Sequence, residues 1–155
     1  MTDTIVFSRP RPEDLAEIVA LLGDHLGAHY HMRADDPRAV ALMEAYARGE
    51  RKSGVIARSG AHVAGFVLYD LTPLFSPTGV QARADYGVVA PAFRKRGLMR
   101  ELLHRSWQQA ASEGAELFLH KSSVPVMIDL FRRMPEAEER GSYFFVQLPH
   151  TPEEK

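Results

Sequence analysis

The sequence predicts a mixed α/β (α+β) domain in which helices cover a sheet. Two observations predict it. Stretches that alternate with period two are interleaved with amphipathic stretches of helical period, the pattern of a layered domain. The chain has 155 residues, enough for one core and too few for two ordinary ones, and it carries no repeat, linker or low-complexity block. Residues 1–150 therefore read as a single domain and residues 151–155, with the preceding "PH", as a frayed tail.

Each element follows in order. "TIVFS" (Thr4 to Ser8) reads as a short strand. "RPRPEDLAEIVALLGDH" reads as a helix opened by Pro12, with Glu13 and Asp14 in its first turn, where acidic groups suit the helix dipole. Leu15, Ile18, Val19 and Leu22 form its apolar stripe, and Gly23 is the expected stop. "HLGAHYHMRA" is irregular. "DDPRAVALMEAYARGE" reads as a second helix capped by Asp36, with Val40, Met43 and Tyr46 on one side.

"SGVIARSGAHVAGFVLYDL" reads as two strands joined at Arg58 to Gly60. "LTPLFSPTGVQ", with two prolines and a glycine, reads as a loop. "ARADYGVVA" is a strand with Arg83, Asp85, Gly87 and Val89 on one face and Ala84, Tyr86, Val88 and Ala90 on the other. The longest helix is expected over about Lys95 to Glu113, with Met99, Leu102, Leu103, Ser106, Trp107 and Ala110 inward and Gly114 closing it. "AELFLHK" is a strand, "VPVMIDLFRRM" a short helix and "GSYFFVQL" a last strand.

Composition narrows the chemistry. The apolar fraction is 45% and the charged fraction 25%, as in soluble globular proteins. The net charge is -1, so no global field draws the chain to nucleic acid or an acidic membrane. There is no cysteine, which excludes disulfides, thiolate metal sites and cysteine nucleophiles. No run matches a signal peptide or a membrane span, so the expected setting is soluble and cytoplasmic.

The informative junction is "APAFRKRGLMRELLHRSWQQAA". A strand hands over to a helix through Arg94, Lys95, Arg96 and Gly97. A helix start presents unpaired N–H groups and partial positive charge, a ready site for phosphate. Gly97 permits close approach to the backbone, and three cations add full charge. The same triplet also fits a solvated surface run, because cations at a helix start do not favour the helix itself.

"DYGVVAPAFRKRGLMRELLHRSWQQAASEGAELFLHK" resembles the Gcn5-related N-acetyltransferase (GNAT) superfamily. The strand ends in Val89-Ala90-Pro91, and Arg94, Gly97 and Met99 occupy the marked positions of that family's pyrophosphate motif. The resemblance extends over about Thr4 to Leu148. It implies a mixed, mostly antiparallel sheet, flanked by helices, whose fourth and fifth strands splay apart. Acetyl-CoA as acyl donor would lie in the split, its pantetheine arm along the backbone of Val88 and Val89 and its diphosphate on the N–H groups from Lys95 through Arg96, Gly97 and Leu98 to Met99. The chain departs from the family at Met99, where a small residue is usual, at Lys95, where glycine is frequent, and at Ser122 and Ser123, where asparagine is frequent. It also departs at Phe131, which stands where many members place a tyrosine acid.

Acyl transfer to an amine needs a proton acceptor and a donor for the developing oxyanion. Asp85 is the candidate base, on the face of Val89; a strand-edge aspartate paired with Arg83 or another cation is the plainer reading. His120, closing the fifth strand, is a candidate base or relay, or a structural histidine. His25, His29 and His31 form a cluster, but Gly27 interrupts the helical spacing a metal pair would need, so no metal is expected. The acceptor implied is a primary amine on a small molecule, peptide or protein, with no nucleic-acid or membrane partner, and a homodimer is allowed. Two rivals stay open: a non-catalytic acyl-CoA-binding or sensory module, favoured by Phe131 and Met99, and a nucleic-acid binder using Arg94, Lys95, Arg96, Arg100 and Arg105.

Overall fold

A computed structural model of the chain describes residues 4–27, 32–49, 51–73, 79–122, 124–141 and 143–149. Its strands are β1 (Ile5–Ser8), β2 (Lys52–Ser59), β3 (His62–Pro73), β4 (Val80–Val89), β5 (Ala115–Lys121), β6 (Ala137–Arg140) and β7 (Tyr143–Gln147). Its helices are α1 (Leu15–Leu26), α2 (Pro37–Arg48), α3 (Leu98–Ser112) and α4 (Pro125–Arg132). The strands form one sheet in the order β1-β2-β3-β4-β5-β7-β6. Every pairing is antiparallel except β4 with β5, which α3 connects as a crossover.

Two apolar layers sandwich the sheet. On one face, Ile18 and Leu22 of α1 and Met43 and Tyr46 of α2 pack on Ile56, Phe66, Leu68 and Val88. On the other, Leu102, Leu103 and Trp107 of α3 and Phe131 of α4 pack on Val55, Val67, Tyr69, Phe118 and Val89. Of the stripe predicted for α1, Ile18 and Leu22 are buried and Leu15 and Val19 half-buried; of that predicted for α3, all but the half-buried Met99 are buried.

Several expectations are corrected. α1 runs through Gly23 to Leu26 and stops at Gly27, whose φ of +68° takes the chain out of helix. In α2 the buried set is Ala39, Met43 and Tyr46, while Val40 is 38% exposed. Asp36 caps that helix as expected, accepting the Arg38 N–H at 2.9 Å. Leu71–Pro73 and Val80–Gln81 extend β3 and β4 into the stretch expected to be loop. α3 begins at Leu98, and the three residues expected as its first turn form the preceding loop. "AEER" (Ala137–Arg140) adds an edge strand that lacks apolar alternation and forms by pairing with β7. The 151–155 tail lies outside the described residues.

The alternation in β4 is broken. Leu68 pairs with Tyr86 and Tyr69 with Ala84, so Asp85 is the extra residue of a bulge. A bulge shifts the side-chain phase by one residue. Asp85 therefore faces α2 with Tyr86 and Val88, not the α3 side with Val89, which corrects the expected face.

Candidate active site

β4 and β5 pair only from Val80/Ala115 to Arg83/Leu119. Beyond that point β4 follows β3 to Val89, and β5 follows β7 to Lys121. The strands part at the bulge, and a cleft of about 250 Å3 opens between them. Its walls include Asp85 and Gly87 of β4, Met99 of α3, His120 of β5, and Met127 and Phe131 of α4. A larger groove of about 530 Å3 lies beside α3 and the end of β7 but shares no lining residue with this split.

The free edge of β4 carries backbone groups. Ala90 N–H donates to Ala64 O at 2.9 Å, which makes that pair hydrogen-bonded. In an antiparallel ladder the next pair is not, so Gly87 and Val89 turn their amides and carbonyls away from β3 and toward the split. Val88, by the same alternation, is bonded to β3, so of the two backbones expected at this edge only Val89's is presented there. Met99 folds over Gly87: a Cβ built on that glycine would lie 3.7 Å from Met99 Cε. The Met99 side chain thus lines the cleft and packs on the core.

The turn before α3 is open. Arg94, Lys95, Arg96 and Gly97 are all exposed, while Leu98 is buried at 8%. Lys95 and Gly97 take φ values of +62° and +74°, and a Cβ on Gly97 would meet nothing within 4 Å. No side chain caps the helix start. The amides of Leu98, Met99 and Arg100 have no helical carbonyl ahead of them. Arg94 reaches back to donate from Nε to Val89 O, at the end of β4, at 3.1 Å. Arg96 lies over the Phe93 ring at 5.8 Å and lines a separate groove with Ile5, Phe7 and Glu101.

Asp85 is held by residues distant in sequence. Its Oδ2 accepts the Tyr46 hydroxyl at 2.5 Å and Lys52 Nζ at 3.1 Å. Lys52 also pairs with Asp70, and Arg83 reaches Asp70 at 3.4 Å rather than Asp85. The cation expected beside Asp85 is therefore Lys52. Burial and the Asp85 carboxylate push the Tyr46 phenol far up, so it stays protonated and donates. Burial lowers the Lys52 amine, but its two carboxylates outweigh that and hold it above the ordinary lysine value.

His120 is 4% exposed. Its ring stacks on Phe118 at 4.5 Å and leans on Phe131 at 4.6 Å, and its Nε2 accepts the Trp107 indole N–H at 2.8 Å. Burial pulls its pKa down to about 3. The reading of His120 as a base is corrected on both counts: the ring resists protonation, and the Nε2 lone pair is already engaged. Phe131 is 1% exposed, stacks on Phe144 at 4.9 Å and offers no proton. His25 lines the cleft, whereas His29, His31 and Ser123 lie outside the described residues. No group of metal-ligand side chains occurs among the described residues.

Sequence reasoning missed Tyr46, Lys52 and Trp107. Tyr46 was legible only as part of a stripe. Lys52 faces Asp70 because a bulge at Ala57/Arg58 shifts the hairpin register, which turn counting alone does not predict.

The acetyltransferase (GNAT) family model matches residues 17–134 of the chain. No curated protein sequence matches it. Solved structures share the fold at low identity. An aminoglycoside acetyltransferase from an uncultured soil metagenomic sample, in complex with sisomicin, is 15% identical, with a TM-score of 0.73 over 95% of each chain. A ribosomal-protein-alanine N-acetyltransferase from Brucella melitensis biovar Abortus 2308 is 18% identical, with a TM-score of 0.68 over 90% of this chain and 96% of that one. AAC(6')-Iy in complex with the bisubstrate analogue CoA-S-monomethyl-acetylneamine is 15% identical, with a TM-score of 0.64 over 82% of this chain and 85% of that one. With a family match over most of its length and a sheet that splits at the bulge in β4, the chain belongs to the GNAT acetyltransferase family.

Proposed function

We propose that the protein is an N-acetyltransferase that moves an acetyl group from acetyl-CoA to a primary amine by direct attack in a ternary complex. The observation that carries this reading is the split between β4 and β5, which opens at the Asp85 bulge and is lined as far as Met99, in the first turn of α3. The residues fit the cosubstrate. The edge of β4 offers the Gly87 and Val89 amides and the Gly87 carbonyl to a pantetheine arm, the Val89 carbonyl being taken by Arg94. The turn from Lys95 to Met99 offers amides to a diphosphate, with Arg94, Lys95 and Arg96 adding charge. Bound acetyl-CoA supplies the activated thioester carbonyl.

The chain's own groups supply the rest. Asp85 Oδ2 is committed to Tyr46 and Lys52, which leaves Oδ1 to draw the acceptor's ammonium and take its proton. An alkyl amine has a pKa near ~10.4, so that proton must be removed before the nitrogen can attack. The Val89 or Gly87 N–H, turned away from β3, donates to the charge that develops on the carbonyl oxygen. The N–C bond forms, the C–S bond breaks with its electron pair leaving on sulfur, and the second proton of the attacking nitrogen passes to water.

Calorimetric titration with acetyl-CoA, followed by an amine panel read as free thiol, tests the reading. We expect saturable binding and amine-dependent thiol release. Asp85→Asn should keep the binding heat and lower turnover by about 10²–10⁴-fold. Binding without thiol release for any amine would support the non-catalytic module instead.

A further inference from the structure

We propose that His120 serves the reaction as a neutral hydrogen-bond donor to the departing sulfur, through Nδ1–H, and that Trp107 is the positioning residue that assigns the proton to that nitrogen. This rests on the acetyl-CoA reading above.

The geometry carries the assignment. An indole N–H is only a donor, so the Nε2 that receives it at 2.8 Å must bear the lone pair. A neutral imidazole with a lone pair on Nε2 carries its hydrogen on Nδ1. Among the described residues the one hydrogen bond of the ring is that at Nε2, and Phe118 and Phe131 flank the ring without offering Nδ1–H an acceptor. His120 nonetheless lines the cleft. A histidine 4% exposed overall, bonded at Nε2 and lining the cleft, has Nδ1–H left to give to a ligand atom that enters it.

Position within the cleft selects the sulfur. The donors for the carbonyl oxygen are on the β4 edge, at Gly87 and Val89. His120 stands on the opposite wall, at the end of β5 against Phe131 of α4. Phe131 cannot donate, so this wall needs another group to meet the charge that appears when the C–S bond breaks. In that step the bonding pair goes to sulfur, sulfur accepts the Nδ1–H hydrogen bond, and His120 keeps its proton; water later protonates the thiolate. Burial keeps the ring neutral, which suits a donor that does not transfer its proton.

Nitrogen NMR of the 15N-histidine-labelled full chain tests this, with coenzyme A as the probe at a pH above the ordinary thiol value of about 8.5. We expect His120 as the Nδ1–H tautomer and a downfield shift of its Nδ1 proton on saturation with coenzyme A. Trp107→Phe should release the tautomer and lower kcat by about tenfold or more, with KM for acetyl-CoA within about twofold of the parent. An Nε2–H tautomer, or an Nδ1 signal unmoved while calorimetry shows coenzyme A bound, overturns the proposal and leaves the acetyl-CoA reading standing. No calorimetric binding of coenzyme A overturns both. If Trp107→Phe does not fold, the parent spectra still decide.

Discussion

His120 has a consequence for stability separate from catalysis. Its native pKa of about 3 lies below the ordinary 6.5 because burial disfavours the imidazolium. As pH falls through 6.5 the unfolded chain takes up a proton that the native ring refuses until about 3. The stabilisation is complete above that ordinary value and is lost as pH drops, at up to about 1.4 kcal/mol per unit from this one group. Urea denaturation at neutral and mildly acidic pH should show the parent losing stability faster than His120→Phe. That substitution strands the Trp107 N–H at every pH, so it lowers stability by a constant and leaves the slope to report the proton. Parallel decline of the two proteins would remove His120 as the titrating group. At the same scale Asp85 shows why a candidate site residue is read more easily than its setting. Its place in "RADYGVV" marked it, but the hydroxyl and ammonium that hold it come from α2 and β2.

The turn from Arg94 to Gly97 is the element with most at stake. Lys95 and Gly97 both sit in the left-handed region, which curls the chain so that successive amides line the start of α3. Space is not the constraint at Gly97, since a Cβ there would meet no atom within 4 Å. Conformation is: an L-residue at φ +74° costs about 1 kcal/mol. Gly97→Ala should therefore lower the melting temperature slightly and weaken acetyl-CoA binding, as the turn relaxes away from that shape. Thermal melts and titration of the variant check both, and unchanged affinity would mean the turn does not hold the diphosphate. The glycine and its basic neighbours were legible in the sequence. The exact start of α3 was not, because Lys95 and Arg96 are fair helix formers and it is the positive φ at Lys95 and Gly97 that excludes them.

Over the whole molecule, the cleft exists because one sheet is held open by two layers. α1 and α2 cover one face and α3 and α4 the other, so β4 and β5 can part without exposing the core. Leu102 lies at the centre of the α3 layer with 0% exposure. Leu102→Ala should cost about 2–5 kcal/mol, read by chemical denaturation. A loss well under 1 kcal/mol would mean that α3 is not anchored as described. The sequence by itself determined the type of every element but the "AEER" strand, the buried positions at the centre of the α1 and α3 stripes, and the family-bearing junction from Val89 to Met99, because periodicity and turn chemistry are local properties. Tertiary structure alone decided that Asp85 faces Tyr46 and Lys52, that His120 spends its Nε2 on Trp107, and that "AEER" becomes a strand. Bulges shift register by one residue and pairing can recruit an unpatterned edge, and both follow from contacts between segments far apart in the chain.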